Sequence, residues 1–535
     1  MKTMISSIIL ASCLALPLAS CSDSDVAPEQ KDWSTTTYFY SADAAMQDTY
    51  YKPTVGYVGD PMPFFDPVAG DFKVLYLQDF RPNPEGTYHP IWGVSTKDAA
   101  HYTSLGELVA CGTKKSQDAA IGTGSTIYDE ASKLYYTFYT GNKYLPTGDE
   151  SAQAVMVATS PDFKTWTKDR TFLLKGQDFG YDKNDFRDPF VFKGDDGKFH
   201  MLISTKKGGK GSLAEFVSDD LKNWTDNGVF MTMMWDRFYE CPDLFKMGDY
   251  WYLVYSEIHH AVRRVQYFKG RTLDELKACT ANDVARWPDA HEGFLDSRGL
   301  YAGKTASDGT NRYLWGWCPT RSGKDNTAVG ASPAEPEWAG NLVCYKLIQH
   351  EDGTLTLGQV DAVSEKYNQD VAVEVKESQN MTEADGTYTL AGNTKQPDAY
   401  MLMGRLGNHN KISFTVTTTD KWDKFGISMV RGSDSKKYYT MVVNPENENN
   451  RKVNFEEQGV EGKGFIAGID GYVFARPADN VYNITIYTDN SICVMYINDV
   501  CSYTNRIYGI QKNCWSINSY NGANVKISNL KISQY

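Results

Sequence analysis

Two patterns of apolar and polar positions alternate along residues 45–348, and each recurs about every 60 residues. The first is a run rich in aromatic and aliphatic side chains. It occurs as Val74-Leu75-Tyr76-Leu77-Gln78, Tyr135-Tyr136-Thr137-Phe138-Tyr139, His200-Met201-Leu202-Ile203-Ser204, Trp251-Tyr252-Leu253-Val254-Tyr255 and Tyr313-Leu314-Trp315-Gly316-Trp317. Such residues suit a pleated, half-buried surface, so each run predicts a strand. The second is a strand that ends in a Ser/Thr-x-Asp turn, with an aromatic four residues beyond the Asp. Thr96 and Asp98 lead to Tyr102, Ser160 and Asp162 to Trp166, and Ser218 and Asp220 to Trp224. Two independent markers in step define a repeating unit of several short strands. Five aromatic runs predict five units. No sustained 3.6-residue periodicity accompanies them, which excludes a helical solenoid. The prediction is a five-bladed β-propeller over 45–348, with the first strand of each blade lining a central channel.

The pattern changes after residue 348. Gln349-His350-Glu351-Asp352-Gly353 reads as a turn, and 349–382 reads as a polar, partly helical linker. From 383 to 535, alternating strands such as Lys411-Ile412-Ser413-Phe414-Thr415-Val416 and Tyr482-Asn483-Ile484-Thr485-Ile486-Tyr487 are separated by Gly, Asn and Asp turns. This predicts an antiparallel β-sandwich. The fold class is all-β, a five-bladed β-propeller followed by a C-terminal β-sandwich.

The N-terminal pattern is of another kind. Met1-Lys2 precedes a mostly apolar stretch from Met4 to Leu18, closed by Leu18-Ala19-Ser20-Cys21. This resembles a bacterial lipoprotein signal peptide over 1–20, with Cys21 as the acylated residue and 21–44 as a polar tether. No later stretch approaches the ~20 apolar residues of a membrane span. The expectation is an exported bacterial lipoprotein of the outer membrane, on its cell-surface or periplasmic side, held through its lipid anchor alone.

Charge narrows the partners. A formal net charge of -13 excludes a phosphate-binding surface, and with it a nucleic-acid partner. An acidic surface suits a neutral substrate. Aromatics make up 13% of the chain, more than ordinary, and serve both strand formation and ring stacking on sugars. Beyond Cys13 and Cys21, the cysteines at 111, 241, 279, 318, 344, 493, 501 and 514 form no C-x-x-C pair, so no zinc cage is indicated. Their apolar settings predict buried free thiols. Cys493 and Cys501 are the one pair that a hairpin would bring face to face.

The candidate chemistry lies in three Pro-containing stretches: Gly59-Asp60-Pro61, Arg187-Asp188-Pro189 and Glu240-Cys241-Pro242. Each stretch precedes an aromatic run at a similar interval, so each falls at a similar place in its blade. Asp60, Asp188 and Glu240 would then converge at the channel mouth. Clustered carboxylates are costly, and glycoside hydrolysis uses such an arrangement, with one carboxyl protonated and one ionised. Glu240, flanked by Tyr239 and Cys241-Pro242 and near other anions, is expected to have a raised pKa and act as the acid. Asp60 is the expected nucleophile. Arg187 is expected to keep its neighbour Asp188 ionised.

At these residues the sequence resembles glycoside hydrolase family 32, the invertase, inulinase and levanase family. That family is marked by Asp-Pro, Arg-Asp-Pro and Glu-Cys motifs in this order. The likeness extends to Tyr76-Leu77-Gln78, Gly122-Thr123-Gly124-Ser125, Arg312 to Trp317 and Trp338-Ala339-Gly340. It extends further to Ile486-Tyr487-Thr488-Asp489-Asn490-Ser491 and Tyr496-Ile497-Asn498-Asp499 in the sandwich. The resemblance implies roles: Asp60 attacks, Asp188 stabilises and Glu240 donates the proton. Gln78, Trp92, Thr123, Arg187 and Trp317 are the expected substrate-binding residues. Two motifs depart from the pattern, one of them where Gly122 stands for an aromatic residue and Thr123 for a small polar one. In the other, the family has Trp-Met-Asn before the first Asp-Pro and Asn-Gly after it, whereas here the neighbours are Tyr57-Val58-Gly59 and Met62-Pro63. A side chain that would touch the terminal sugar is therefore absent at Gly59.

The expected function is hydrolysis of β-fructosidic bonds in fructans or sucrose-type sugars, with retention and without metal or organic cofactor. Two alternatives stand beside it. One is an inverting arabinan- or xylan-type five-bladed hydrolase, which also uses two Asp and a Glu but spaces its carboxyls about 6.5–9.5 Å apart instead of 5–5.5 Å. The other is a non-catalytic glycan-binding lipoprotein of the same fold.

Overall fold

Each aromatic run forms the second strand of an antiparallel blade, and each acidic stretch lies on the inner strand that pairs with it. A computed structural model of the chain describes residues 49–80, 88–233, 238–257, 264–279, 293–321, 336–431, 438–457 and 471–535. The expected signal peptide 1–20, the acylated Cys21 and the tether 21–44 lie outside the described residues.

Blade 1 consists of Tyr57–Asp66, Asp71–Asp79, Ile91–Thr96 and Thr103–Val109. Blade 2 consists of Ala120–Asp129, Leu134–Asn142, Gln153–Ser160 and Thr167–Lys168, and blade 3 of Phe186–Lys193, Phe199–Lys207, Lys210–Ser218 and Thr225–Thr232. Among the described residues blade 4 has three strands: Glu240–Met247, Tyr250–Glu257 and Arg264–Gly270. Blade 5 comprises Tyr301–Ser307, Arg312–Arg321, Pro336–Gln349 and Leu355–Gly358, and its third strand meets the first strand of blade 1 at Val58↔Gly340, which closes the ring.

The turn marker has a local cause. Asp98 accepts the backbone N–H groups of Ala100 and His101, Asp162 those of Lys164 and Thr165, and Asp220 those of Lys222 and Asn223. In each case the residue after the Asp (Ala99, Phe163, Leu221) is left-handed. A carboxylate that mimics a backbone turn thus sets the bend between the third and fourth strands of three blades.

The predicted linker and sandwich boundaries shift. Within 349–382, Leu355–Gly358 is the fourth strand of blade 5, and Gln369–Val371, Val375–Gln379 and Met381–Ala384 pair with sandwich strands. The polarity read as a linker belongs to exposed edge strands, whose side chains largely face water. The sandwich has two sheets. In one, His409–Thr418 alternates buried and half-buried positions without a break, placing Ile412, Phe414 and Val416 in the core. The expected facing of Cys493 and Cys501 does not occur. The hairpin register sets Cys493 against Asn505 and Cys501 against Ile497, so the two lie at opposite ends of one strand pair. All eight described cysteines are free.

Propeller and sandwich share a core in which Trp315 and Tyr345 of blade 5 join Tyr487, Val494 and Tyr496 of the sandwich. Buried polar pairs fix the join. Asp296 accepts from the Thr504 N–H and the hydroxyls of Ser502 and Thr504, and Arg506 donates to the carbonyls of Cys318 and Pro319.

Candidate active site

The ladder slips at one place in every inner strand, close to its start. The slip lies between Gly59 and Met62 in blade 1, Gly122 and Gly124 in blade 2, and opposite Leu202 and Ser204 in blade 3. It lies between Glu240 and Asp243 in blade 4 and between Tyr301 and Lys304 in blade 5. A bulge re-aims the side chains around it. Here five bulges lie around one axis. The ring is tight enough for Lys304 of blade 5 to reach across to blade 2, where its Nζ donates to the carbonyl of Gly124 at 2.8 Å.

The acidic residues occupy two positions relative to the bulge. Asp60 and Asp188 sit on it, both left-handed (φ 24° and 56°), in the place taken by Cys241 in blade 4. Glu240 sits one residue earlier, in phase with Gly59, Arg187 and Tyr301. That offset brings Arg187 and Glu240 together on adjacent blades.

Asp60 is half-buried and held by two donors. The Thr123 hydroxyl donates to Oδ2 at 2.6 Å, and the Trp317 indole N–H donates to Oδ1 at 3.0 Å. Burial raises its pKa, these two hydrogen bonds pull it back, and the nearby charge of Glu240 adds to the rise. Asp188 is buried, and its Oδ2 accepts the Cys241 N–H at 2.9 Å. Glu240 receives the Arg187 guanidinium on Oε1 at 2.9 Å and the Tyr301 hydroxyl on Oε2. Arg187 also donates to Asp185 at 2.7 Å and lies over the Phe238 ring at 3.8 Å, which fixes its plane.

The three expected catalytic carboxylates therefore converge, together with Arg187, Thr123 and Trp317. Two expectations about them need correction. Arg187 favours ionised Asp188 through its charge rather than through a hydrogen bond, because its guanidinium donates to Glu240 and Asp185. Burial drives Asp188 up to about 6 despite the Arg187 charge, with Glu240 opposing ionisation further. Glu240 is not in an apolar setting, since both of its oxygens carry polar partners.

Two expected contacts lie elsewhere. Gln78 is fully buried, with its amide donating to the carbonyl of Val55 beneath the entry of blade 1. Trp92 lies on the third strand opposite Tyr76, with its ring against Phe80 in the interior. Its strand is two removed from the channel, so it packs the blade.

The site also includes Tyr301, Lys304 and Cys241, to which sequence reasoning assigns no role. Aligning the inner strands on Pro61, Pro189 and Pro242 would have placed Arg187 and Glu240 in one phase. It offers nothing for Tyr301, whose strand has no such proline.

Residues 50–361 match the model described as "Glycosyl hydrolases family 32 N-terminal domain", and residues 353–532 match "GH32, BT1760-like, C-terminal domain". The chain is similar to the beta-fructofuranosidase, insoluble isoenzyme CWINV2, of Arabidopsis thaliana, with 26% identity over 54% of this chain and 51% of that protein. It is also similar to the sucrose-6-phosphate hydrolase of Escherichia coli, with 27% identity over 39% of this chain and 43% of that protein. The chain thus spans about half the length of the curated relatives it matches. Among solved structures, fructan 1-exohydrolase IIa from Cichorium intybus has the same fold, with a TM-score of 0.66, 16% identity, and 91% of this chain and 97% of that chain covered. So does the sucrose-6-phosphate hydrolase of Lactobacillus gasseri, with a TM-score of 0.65, 18% identity, and coverage of 92% and 94%.

Proposed function

The chain belongs to glycoside hydrolase family 32, and from that membership we propose that it hydrolyses β-fructosidic bonds in fructans or sucrose-type sugars with retention of configuration. The convergence of Asp60, Asp188 and Glu240 on neighbouring bulges carries this reading. Names of relatives such as "Fructan 6-exohydrolase" of Beta vulgaris support the same bond type. Membership also sets aside the arabinan- or xylan-type alternative.

In the first step an oxygen of Asp60 attacks the anomeric carbon of the fructosyl unit. The bond to the leaving oxygen breaks as Glu240 transfers its proton there. Thr123 and Trp317 each occupy one lone pair on a different Asp60 oxygen, which orients the carboxylate and leaves electrons free for attack. Arg187 can only donate, so Oε1 of Glu240 always accepts, and Oε2 carries the proton. The Tyr301 hydroxyl can accept as well as donate, so it accommodates both states of that oxygen. In the second step water attacks the same carbon, Glu240 takes its proton, and the ester to Asp60 breaks. Asp188, ionised above its raised pKa, binds sugar hydroxyls as positive charge develops on the ring.

Incubation of the purified protein with levan, inulin and sucrose, with arabinan as control, tests the reading. Fructose release from at least one fructoside is expected, and reaction in methanol should yield the β-methyl fructoside. Glu240→Gln should remove most activity. Glycan binding by the wild type without any product would instead support the non-catalytic alternative. The N-terminal sequence supports export as a lipoprotein acylated at Cys21. Incorporation of labelled palmitate, lost in Cys21→Ala, is the expected outcome.

A further inference from the structure

At Gly59 a side chain would collide with its neighbour. The φ of Gly59 lies outside the left-handed range, so no backbone conformation demands glycine there. A Cβ at this position, however, would meet Cη2 of Trp338 at 2.2 Å, Cζ3 at 2.7 Å and Cζ2 at 2.8 Å. The indole fills the space that any side chain at 59 would claim. Trp338 is in turn backed by His89, stacked with ring centroids 4.1 Å apart and planes 23° apart. Beyond His89 stands Tyr88, with centroids 5.1 Å apart and a side chain 38% exposed. On the inner side Trp338 contacts Trp317 at 6.1 Å, the residue that holds Asp60. An aromatic wall thus runs from the nucleophile to the surface along the seam of blades 1 and 5, and Trp338 is partly exposed within it.

We propose that the Gly59–Trp338 pair, backed by His89, is the specificity determinant of this pocket. The wall presents a ring face to the sugar bound over Asp60, in place of a polar side chain at 59. A ring face takes the C–H-rich side of a sugar and exchanges no hydrogen bonds with its hydroxyls. Recognition at this wall therefore works by shape and ring contact rather than by hydroxyl pairing. The inference rests on the reading that the site binds and cleaves fructosides.

Steady-state kinetics on the best fructan substrate test it. Trp338→Ala should raise KM about tenfold or more while kcat changes less, because the contact is made to bound substrate as well as to the transition state. Trp338→Phe, which keeps a ring, should lie between that variant and the wild type. Gly59→Ala should also raise KM, since its Cβ displaces the indole. The double variant Gly59→Ala/Trp338→Phe should recover part of that loss, because the smaller ring makes room. Contacting residues show such coupling, whereas independent structural damage would add. Calorimetric titration of the same substrate into Glu240→Gln, with and without Trp338→Ala, reads binding without turnover and should show the same loss of about tenfold or more. An active Trp338→Ala protein with unchanged KM and affinity would overturn the inference, as would strict additivity in the double variant. A wild type that binds fructan but releases nothing would overturn the proposed hydrolysis and leave the wall to be judged by titration.

Discussion

The inner strands of the propeller and the strands of the sandwich are built from similar residues and pair by the same antiparallel rules, yet they use their geometry differently. His409–Thr418 pairs with Val481–Asp489 through nine successive partners without a slip. Every inner strand of the propeller slips once, at the level of the carboxylates. The regular strand commits alternate side chains to the core and the rest to solvent. The slipped strand gives up local pairing to turn a side chain toward the axis. It also carries strain, since Asp60, Asp188, Cys241 and Ala302 are non-glycine residues with positive φ, at roughly 1–3 kcal/mol each. Slips also occur in the sandwich, where His409–Thr418 shifts once against Asn524–Gln534, so what sets the propeller apart is that its inner-strand slips share one level around the axis and carry the carboxylates.

The sharpest break in this comparison comes from changing function without changing fold. Asp60→Asn removes the nucleophile but keeps an acceptor for the Trp317 N–H, and its NH2 group can donate to the Thr123 hydroxyl, which also accepts. A fall in kcat of about 10⁴-fold or more is expected, with an unaltered melting temperature. Activity within tenfold of the wild type would remove Asp60 from its role. The reverse experiment belongs to the sandwich. Ile484 is buried opposite Phe414, and Ile484→Ala should cost about 2–5 kcal/mol of stability. Its kcat at temperatures where the protein stays folded should be unchanged.

Asp188→Asn separates the regions by pH. The unfolded chain titrates this residue near 3.9, whereas in the folded protein burial raises it to about 6. The folded state therefore binds the extra proton in that interval. The group's contribution to stability is fully present below about pH 4 and is lost as pH rises through about 6. Asn carries no charge to bury. At pH 7.5 the variant should be more stable than wild type by at most roughly 3 kcal/mol, the advantage should vanish near pH 4, and activity should be lost throughout. A melting temperature at pH 7.5 equal to or below that of wild type would contradict the assigned cost.

Legibility in the sequence follows the same division. Regular elements were readable because their signals are local. Aromatic runs, Asp-centred turns and strict alternation each follow from one short stretch, and all three became the elements they predicted. The three carboxylates were also readable, because their prolines mark the bulges. What was missed depends on how a bulge redirects its neighbours. Arg187 is adjacent to Asp188 in sequence but pairs with Glu240 across the blades. Tyr301 shares that phase without any marker. Gln78 and Trp92 are expected to contact substrate, but strand position turns both inward. Trp338 and Gly59 are far apart in sequence, and only the closure of the ring explains one by the other.

The smallest predicted effect uses one substitution in both regions. Thr123→Val removes a hydroxyl that donates to Asp60 at 2.6 Å, and Thr415→Val removes one that donates to Asn483 at 3.1 Å on an exposed sandwich face. The two side chains differ little in volume, so packing changes little in either case. A hydrogen bond to a charged group is worth about 1.5–3 kcal/mol, so kcat/KM of Thr123→Val should fall roughly 10- to 100-fold. That loss should depend on pH. Thr123 is one of two donors that hold the Asp60 pKa down against burial. Without it Asp60 ionises at higher pH, the acid limb of kcat/KM moves upward, and the deficit is largest in acid and shrinks toward alkaline pH. Thr415→Val should leave the whole profile in place and stability within about 0.5 kcal/mol. A pH-independent loss at Thr123 would mean that its hydroxyl merely packs. A shifted profile at Thr415 would mean that strands of the sandwich also tune the chemistry, and the division between the inner-strand bulges and the sandwich would fail.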